Sequence, residues 1–137
     1  ALRPLHPGED LHLLGLHIES APVRHHPSSI GWRITLPNRA TLAWPGDTGP
    51  CDALPHLVRN ASLAVLECGF PDGTPLEGHL TPSAILDAIA ENPPDQLAIV
   101  HRYPLALHDD TLLPRLRERA PCPVLAPDDG HLFPLLP

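Results

Sequence analysis

The sequence contains neither lysine nor methionine, and its aromatic residues are few: two Trp, one Tyr and two Phe in 137 residues. All nine basic residues are therefore Arg, and a formal net charge of −7 excludes a broad cationic footprint for nucleic acid. The only basic cluster, Arg115, Arg117 and Arg119 with Glu118, reads as the solvated last turns of a helix, where cations suit the macrodipole. No apolar run approaches the roughly 20 residues of a membrane-spanning helix, and no charged-then-apolar leader is present. Cysteine is sparse as well. Cys51, Cys68 and Cys122 are widely spaced and form no CxxC pair, which favours reduced thiols in a cytoplasmic protein over a disulfide framework. Cys68, set in an apolar stretch, reads as a small buried residue rather than a nucleophile. A chain that opens at Ala1 with no Met is expected to be a processed product or an excised piece.

What the sequence has in quantity is proline, with 20 residues, and histidine, with ten. The prolines punctuate a regular alternation of short elements. Leu11 to Glu19 alternates roughly and predicts one strand. Gly31–Leu36 and Ala40–Trp44 alternate more cleanly about a turn at Pro37, Asn38 and Arg39, predicting a hairpin. Residues 45–50 form a loop of turn formers, and Asp52 to Asn60 carries a short helical pattern. Ser62 to Glu67 is a continuous apolar run that predicts a buried central strand. After a loop from Cys68 to Leu80, Thr81 and Pro82 predict a helix start, Thr as cap and Pro in the first turn. That helix is expected to reach about Asn92. Leu97–Val100 predicts a second buried strand, Thr111–Ala120 a helix, and Pro123–Ala126 a short strand. The order predicts one α/β unit over residues 1–137, with a hairpin feeding a mixed sheet.

The polar residues fall at informative places. Asp47 and His101 follow apolar strands, and Glu67 ends another. Ligands in open α/β sheets bind off the carboxyl ends of strands, so three such residues make a site-like pattern. Most histidines read as incidental: His6, His12, His17, His56, His108 and His131 have no neighbour at ligand spacing. His25 and His26, in a loop before Ser28-Ser29-Ile30-Gly31, stand apart from that group.

Five short segments in order carry a resemblance. They are His25 six residues before Gly31-Trp32-Arg33-Ile34; a strand running into Pro45-Gly46-Asp47-Thr48; Leu66-Glu67-Cys68-Gly69-Phe70-Pro71; Gly78-His79-Leu80-Thr81-Pro82; and Ile99-Val100-His101 with Pro104 beyond. Together they resemble the metallo-β-lactamase superfamily, most closely its phosphodiesterase branch, which includes ribonuclease Z and the class II cyclic-nucleotide phosphodiesterases. The resemblance spans residues 8 to about 132. It implies the second half of an αββα sandwich, with helices on one face of a mixed sheet. It also implies a metal-dependent phosphodiesterase using two divalent ions, zinc with manganese or iron as alternatives.

The implied roles attach to five residues. His25 would be a terminal ligand to one ion, Asp47 a bridge between the two, and His101 a terminal ligand to the other. His79 would face the scissile phosphate as proton donor or transition-state stabiliser, oriented by Glu67. The superfamily's His-x-His-x-Asp-His signature is absent from this sequence. The expected partners are accordingly an N-terminal half of the same domain that brings this motif and a small phosphoester substrate, with no membrane and no nucleic acid; a homo-oligomer remains open. Catalytic zinc takes three protein ligands, so this chain by itself is expected to be inactive. Two other classes fit the residues: a non-catalytic interaction module that has lost the metal motif, and a histidine-rich metal-binding protein without hydrolytic activity.

Overall fold

A computed structural model describes residues 4–136. Seven strands form one sheet whose spatial order, β1-β2-β3-β4-β5-β6-β7, is also the order along the chain. The strands are β1 (Asp10–Leu13), β2 (Leu16–Pro22), β3 (Ile30–Thr35), β4 (Thr41–Trp44), β5 (Leu63–Glu67), β6 (Leu97–Val100) and β7 (Val124–Leu125). The first four pair antiparallel and the last three add in parallel, giving the expected mixed sheet. Parallel neighbours need crossovers. These are supplied by α1 (Ala53–Val58), α2 (Pro82–Ile89), and α3 (Pro104–Leu107) with α4 (Leu112–Arg119).

Two elements differ from expectation. Residues 11–19 are not one strand but the β1–β2 hairpin, with His12 opposite His17 and a turn at Leu14 (φ 51°) and Gly15 (φ 81°). The alternation continues through the turn because Leu14 occupies a position usually taken by Gly or Asn, its side chain 90% exposed. The four-residue α3 also falls where no helix was expected; Pro104 sits in its first turn, which its fixed φ favours.

The helices pack on one face. Ala43, Ala64, Leu66, Leu97 and Ile99 point there from β4, β5 and β6, meeting Leu54 and Val58 of α1, Ile85 and Ile89 of α2, and Leu112 and Leu116 of α4. Each large side chain so buried contributes about 1.5–3 kcal/mol. Thr81 caps α2, its hydroxyl accepting from Ala84 N–H at 3.4 Å, while Asp72 accepts from Ser83 N–H at 2.9 Å. Gly31 lets α1 approach β3: a Cβ there would lie 2.7 Å from Leu57 Cδ1 and 3.0 Å from the Pro45 backbone. Arg33, two residues on, closes the C-terminal end of the same helix by donating to the carbonyls of Leu57 and Arg59, both at 2.8 Å. Burial lowers its pKa, while Glu19, 3.5 Å away, acts in the opposite direction.

The other sheet face carries Ile18, Trp32, Ile34, Leu42, Trp44, Val65 and Val100, none of them buried and Trp44 51% exposed. Among the described residues no helix is long and apolar enough to cross a membrane.

Candidate active site

The parallel strands end at one edge. Asp47, His79 and His101 lie in the loops that follow β4, β5 and β6, Glu67 ends β5 itself, and His25 lies in the connection between β2 and β3. Glu67 is the last residue of β5 and is 2% exposed. Its carboxylate accepts from three donors: His79 Nδ1 at 2.9 Å, Thr48 N–H at 2.9 Å and Gly69 N–H at 3.1 Å. Burial raises the Glu67 pKa, and the hydrogen bond from Thr48 and the nearby His79 pull against that rise. A buried carboxylate is costly unless its lone pairs are met, and here they are met by donors from two loops, Thr48 from one and Gly69 and His79 from the other. Glu67 therefore fixes the ring of His79 and, through Thr48, the loop that carries Asp47.

His79 is 7% exposed. With Nδ1–H donated to Glu67, its Nε2 is the nitrogen left to accept a proton when the ring is neutral and to donate one when it is charged. Gly78 just before it adopts φ 83°, a conformation that L side chains rarely take. A Cβ at Gly78 would also lie 3.1 Å from His25 Nδ1. That approach lets His25 Nδ1–H donate to the Gly78 carbonyl at 3.1 Å, so the lone pair of His25 sits on Nε2. The His25 and His79 rings meet edge to face, 5.1 Å between centroids.

On the opposite side of His79 the His101 ring lies 5.9 Å away, and His101 Nε2 stands 3.4 Å from Asp47 Oδ2. Both of these side chains are open to solvent, at 43% and 42%. His101 has φ 47° immediately after β6, a strained conformation for a non-Gly residue of the kind that gathers at functional sites.

Thr48 and Tyr103 were not legible as site residues. Thr48 is fully buried; its hydroxyl donates to Gly49 O at 2.7 Å and accepts from Arg24 N–H at 3.1 Å. With the Arg24–Gly49 bridge it joins the Asp47 loop to the residue before His25. Tyr103 stacks on Phe70 at 5.0 Å and meets His79 edge-on at 5.3 Å. Nothing local in the sequence marks either residue, since the contacts of Thr48 with Arg24 and Glu67 and of Tyr103 with Phe70 and His79 cross between loops.

The donor types suit a divalent ion: imidazoles with one nitrogen fixed by a hydrogen bond, and a carboxylate beside them. Their number does not suffice. Among the described residues no group of three His, Cys, Asp or Glu is placed to hold a metal ion. The expected set of His25, Asp47 and His101 is therefore not a closed metal site within this chain.

Such an edge, on a mixed sheet with helices on one face, is the framework of the metallo-hydrolase fold. The family model for the β-lactamase superfamily domain matches residues 1–102, and the chain belongs to that family. An uncharacterised protein of Mycobacterium leprae is 34% identical over 108 residues, which is 77% of this chain and 38% of the relative. The chain thus spans well under half the length of the curated relatives it matches. Among solved structures, the metallo-β-lactamase fold protein YhfI of Bacillus subtilis superposes with a TM-score of 0.76 at 20% identity, over 88% of this chain and 49% of YhfI. A diphosphatase of the PhnP family superposes at 0.66 with 19% identity, over 94% of this chain and 46% of that protein. At these identities the two structures establish the fold.

Proposed function

We propose that this chain is the C-terminal half of a metallo-β-lactamase-type hydrolase domain, a phosphodiesterase acting on a cyclic nucleotide or a similar small phosphoester. The observation that carries the reading is the buried Glu67–His79 pair beside the Asp47–His101 pair, all at one sheet edge. Two further observations support a missing half. The chain covers 38% of its Mycobacterium leprae relative and 49% of YhfI. Its second sheet face presents Trp32, Ile34, Leu42 and Trp44 without a covering layer, the surface that a second sheet would bury. The diphosphatase likeness supports a phosphorus–oxygen bond as the one broken. Three free cysteines fit a reducing, cytoplasmic setting.

In this reading His25, Asp47 and His101 would hold two divalent ions, zinc, manganese or iron, jointly with His-x-His-x-Asp-His ligands from the absent half. Such ions lower the pKa of water toward neutrality and neutralise phosphoryl oxygens. The chain's own part is the proton. Glu67 keeps Nδ1 of His79 protonated and its ring fixed, so Nε2 meets the leaving oxygen as a donor or stabilises the charge that forms there.

The test is reconstitution. This chain is mixed with a separately made N-terminal half carrying the His-x-His-x-Asp-His motif, and metal content and hydrolysis of bis-p-nitrophenyl phosphate are measured. Each half alone should bind Zn²⁺ weakly and turn over nothing, while the mixture should do both. Asp47→Ala or His101→Ala should abolish the rescue. Tight stoichiometric metal and brisk turnover by this chain alone, or no rescue in the mixture, would overturn the reading.

A further inference from the structure

We infer that Tyr103 is a positioning residue: its ring holds the exposed imidazole of His101 at a set place beside the buried imidazole of His79. The inference rests on the phosphodiesterase reading above, in which one of these rings faces the metal and the other moves the proton.

The two histidines are held unequally. His79 is 7% exposed, and its Nδ1 reaches both carboxylate oxygens of Glu67, at 2.9 and 3.1 Å. His101 has a backbone at φ 47° and a side chain 43% exposed. Its polar partner among the described residues is Asp47 Oδ2 at 3.4 Å, on a side chain that is itself 42% exposed. An ion pair so open to water does little to select a rotamer. His101 needs a wall to stand against.

Tyr103 has the properties of one. Its N–H donates to Gly69 O at 3.3 Å and its carbonyl accepts from Leu107 N–H at 2.8 Å, so its backbone is tied to the loop after β5 and to α3. Its ring lies on Phe70, with 5.0 Å between centroids and 22° between planes. From that seat it meets His101 at 5.0 Å and 71°, and His79 at 5.3 Å and 76°. The two imidazoles stand 5.9 Å apart, so the three rings close a triangle. Two of its corners are anchored independently, His79 by Glu67 and Tyr103 by its backbone and Phe70. The third, His101, takes its place from them. Among the described residues the Tyr103 hydroxyl has no hydrogen-bond partner, so the ring and not the oxygen makes these contacts. Each aromatic contact of this kind favours one arrangement over its alternatives by roughly 2- to 10-fold. Where a metal ligand and a proton donor serve one phosphorus centre, a misplacement of about 1 Å can cost on the order of 100-fold in rate. The wall against His101 therefore matters more to turnover than to stability.

Two measurements test the assignment. Three-bond couplings to Cγ in the ¹³C,¹⁵N-labelled chain, recorded without metal, report the χ1 angle of each histidine. His101 should occupy one rotamer in the native chain and in Tyr103→Phe, and should average among rotamers in Tyr103→Ala. Tyr103→Leu, which keeps apolar bulk without a ring, takes the place of the alanine variant if that one does not fold. His79 should keep its rotamer throughout. In the mixture with the N-terminal half, at saturating Zn²⁺, Tyr103→Ala should lower kcat by at least about 10-fold with KM within about twofold, and Tyr103→Phe should restore it. A merely structural Tyr103 would leave the His101 couplings and the kcat of folded enzyme unchanged, and that result would overturn the inference. So would a His101 already averaged in the native chain, or a Tyr103→Phe as damaging as the alanine variant. The couplings need neither metal nor the second half. A failed rescue by the native chain therefore sinks the phosphodiesterase reading, while the couplings still decide whether Tyr103 places His101.

Discussion

Tyr103 sets its ring edge-on against His101, with 5.0 Å between centroids and 71° between planes. The contact matters because the His101 backbone, at φ 47°, does not hold its own side chain comfortably. Tyr103 is itself anchored, its N–H donating to Gly69 O at 3.3 Å and its ring stacked on Phe70. Tyr103→Ala should lower stability by roughly 1 kcal/mol through the lost aromatic contacts. His101→Gly should act oppositely, since glycine accepts a positive φ without strain. Thermal melting should show no loss of stability in His101→Gly, and a drop of several degrees there would mean that the strained turn is held by the imidazole.

Removal of the Glu67 carboxylate leaves the Thr48 and Gly69 amides unpaired in a buried place. Glu67→Ala should cost roughly 1–3 kcal/mol for each stranded donor. Glu67→Gln keeps the shape and one acceptor oxygen, so it should keep more of that stability. In the reconstituted enzyme it should still lower kcat by about 10-fold or more, in line with losing an orienting carboxylate. Urea unfolding and turnover, measured on the same two variants, separate these effects.

Acid should weaken the start of α2 through Asp72. Burial raises the Asp72 pKa, but hydrogen bonds from Ser83 N–H and from the Thr81 and Ser83 hydroxyls outweigh it, and the net shift is downward. A depressed carboxyl pKa means the unfolded chain binds more protons in the window between the two values. Stability from this group is therefore complete above the unfolded value of about 4 and is lost as pH falls through the lower folded value. The urea midpoint of the native chain should fall from pH 5 toward pH 3 more steeply than that of Asp72→Asn, by well under about 1 kcal/mol because the carboxylate is exposed and screened by solvent. Parallel curves would remove Asp72 from the acid response.

The three thiols should differ in reactivity. Cys68 is fully buried, and burial, with Glu67 adding to it, pushes its pKa up to about 12. Only the thiolate attacks a disulfide reagent, so at pH 8 Cys68 should stay unmodified by dithionitrobenzoate while the fold is intact. It should react once urea unfolds the chain. Rapid native labelling at Cys68, located by peptide mass, would show that the β5 end opens readily.

The mixed sheet could be read in advance because its strands are short, apolar and bounded by Pro and Gly. The Thr81-Pro82 helix start was legible for a similarly local reason: a cap and a preset first turn lie side by side. The β1–β2 turn was not legible, since Leu14 and Gly15 look like a continuing strand until the pairing of Leu13 with Leu16 is known. The Gly31-Trp32-Arg33-Ile34 segment served in the sequence only as a marker, and the structure gives its physical content: Gly31 admits Leu57, and Arg33 ties down the end of α1. Within the site, Glu67 and His79 could be paired from the sequence through the resemblance alone. Thr48 and Tyr103 could not be placed at all, because what they do depends on partners such as Arg24 and His79 that meet them across loops.

A sheet whose spatial order repeats its chain order also has a growth direction. As the polypeptide leaves the ribosome, each strand finds its partner already made, and none waits for a segment still to be synthesised. The largest closure in that series, from Glu67 to Leu97, encloses the capped helix α2, which shortens the search by forming locally. At the last edge described, β7 has only two paired residues, Val124 and Leu125, with Pro123 before them and Pro127 shortly after, so this edge exposes a short, proline-bounded ladder.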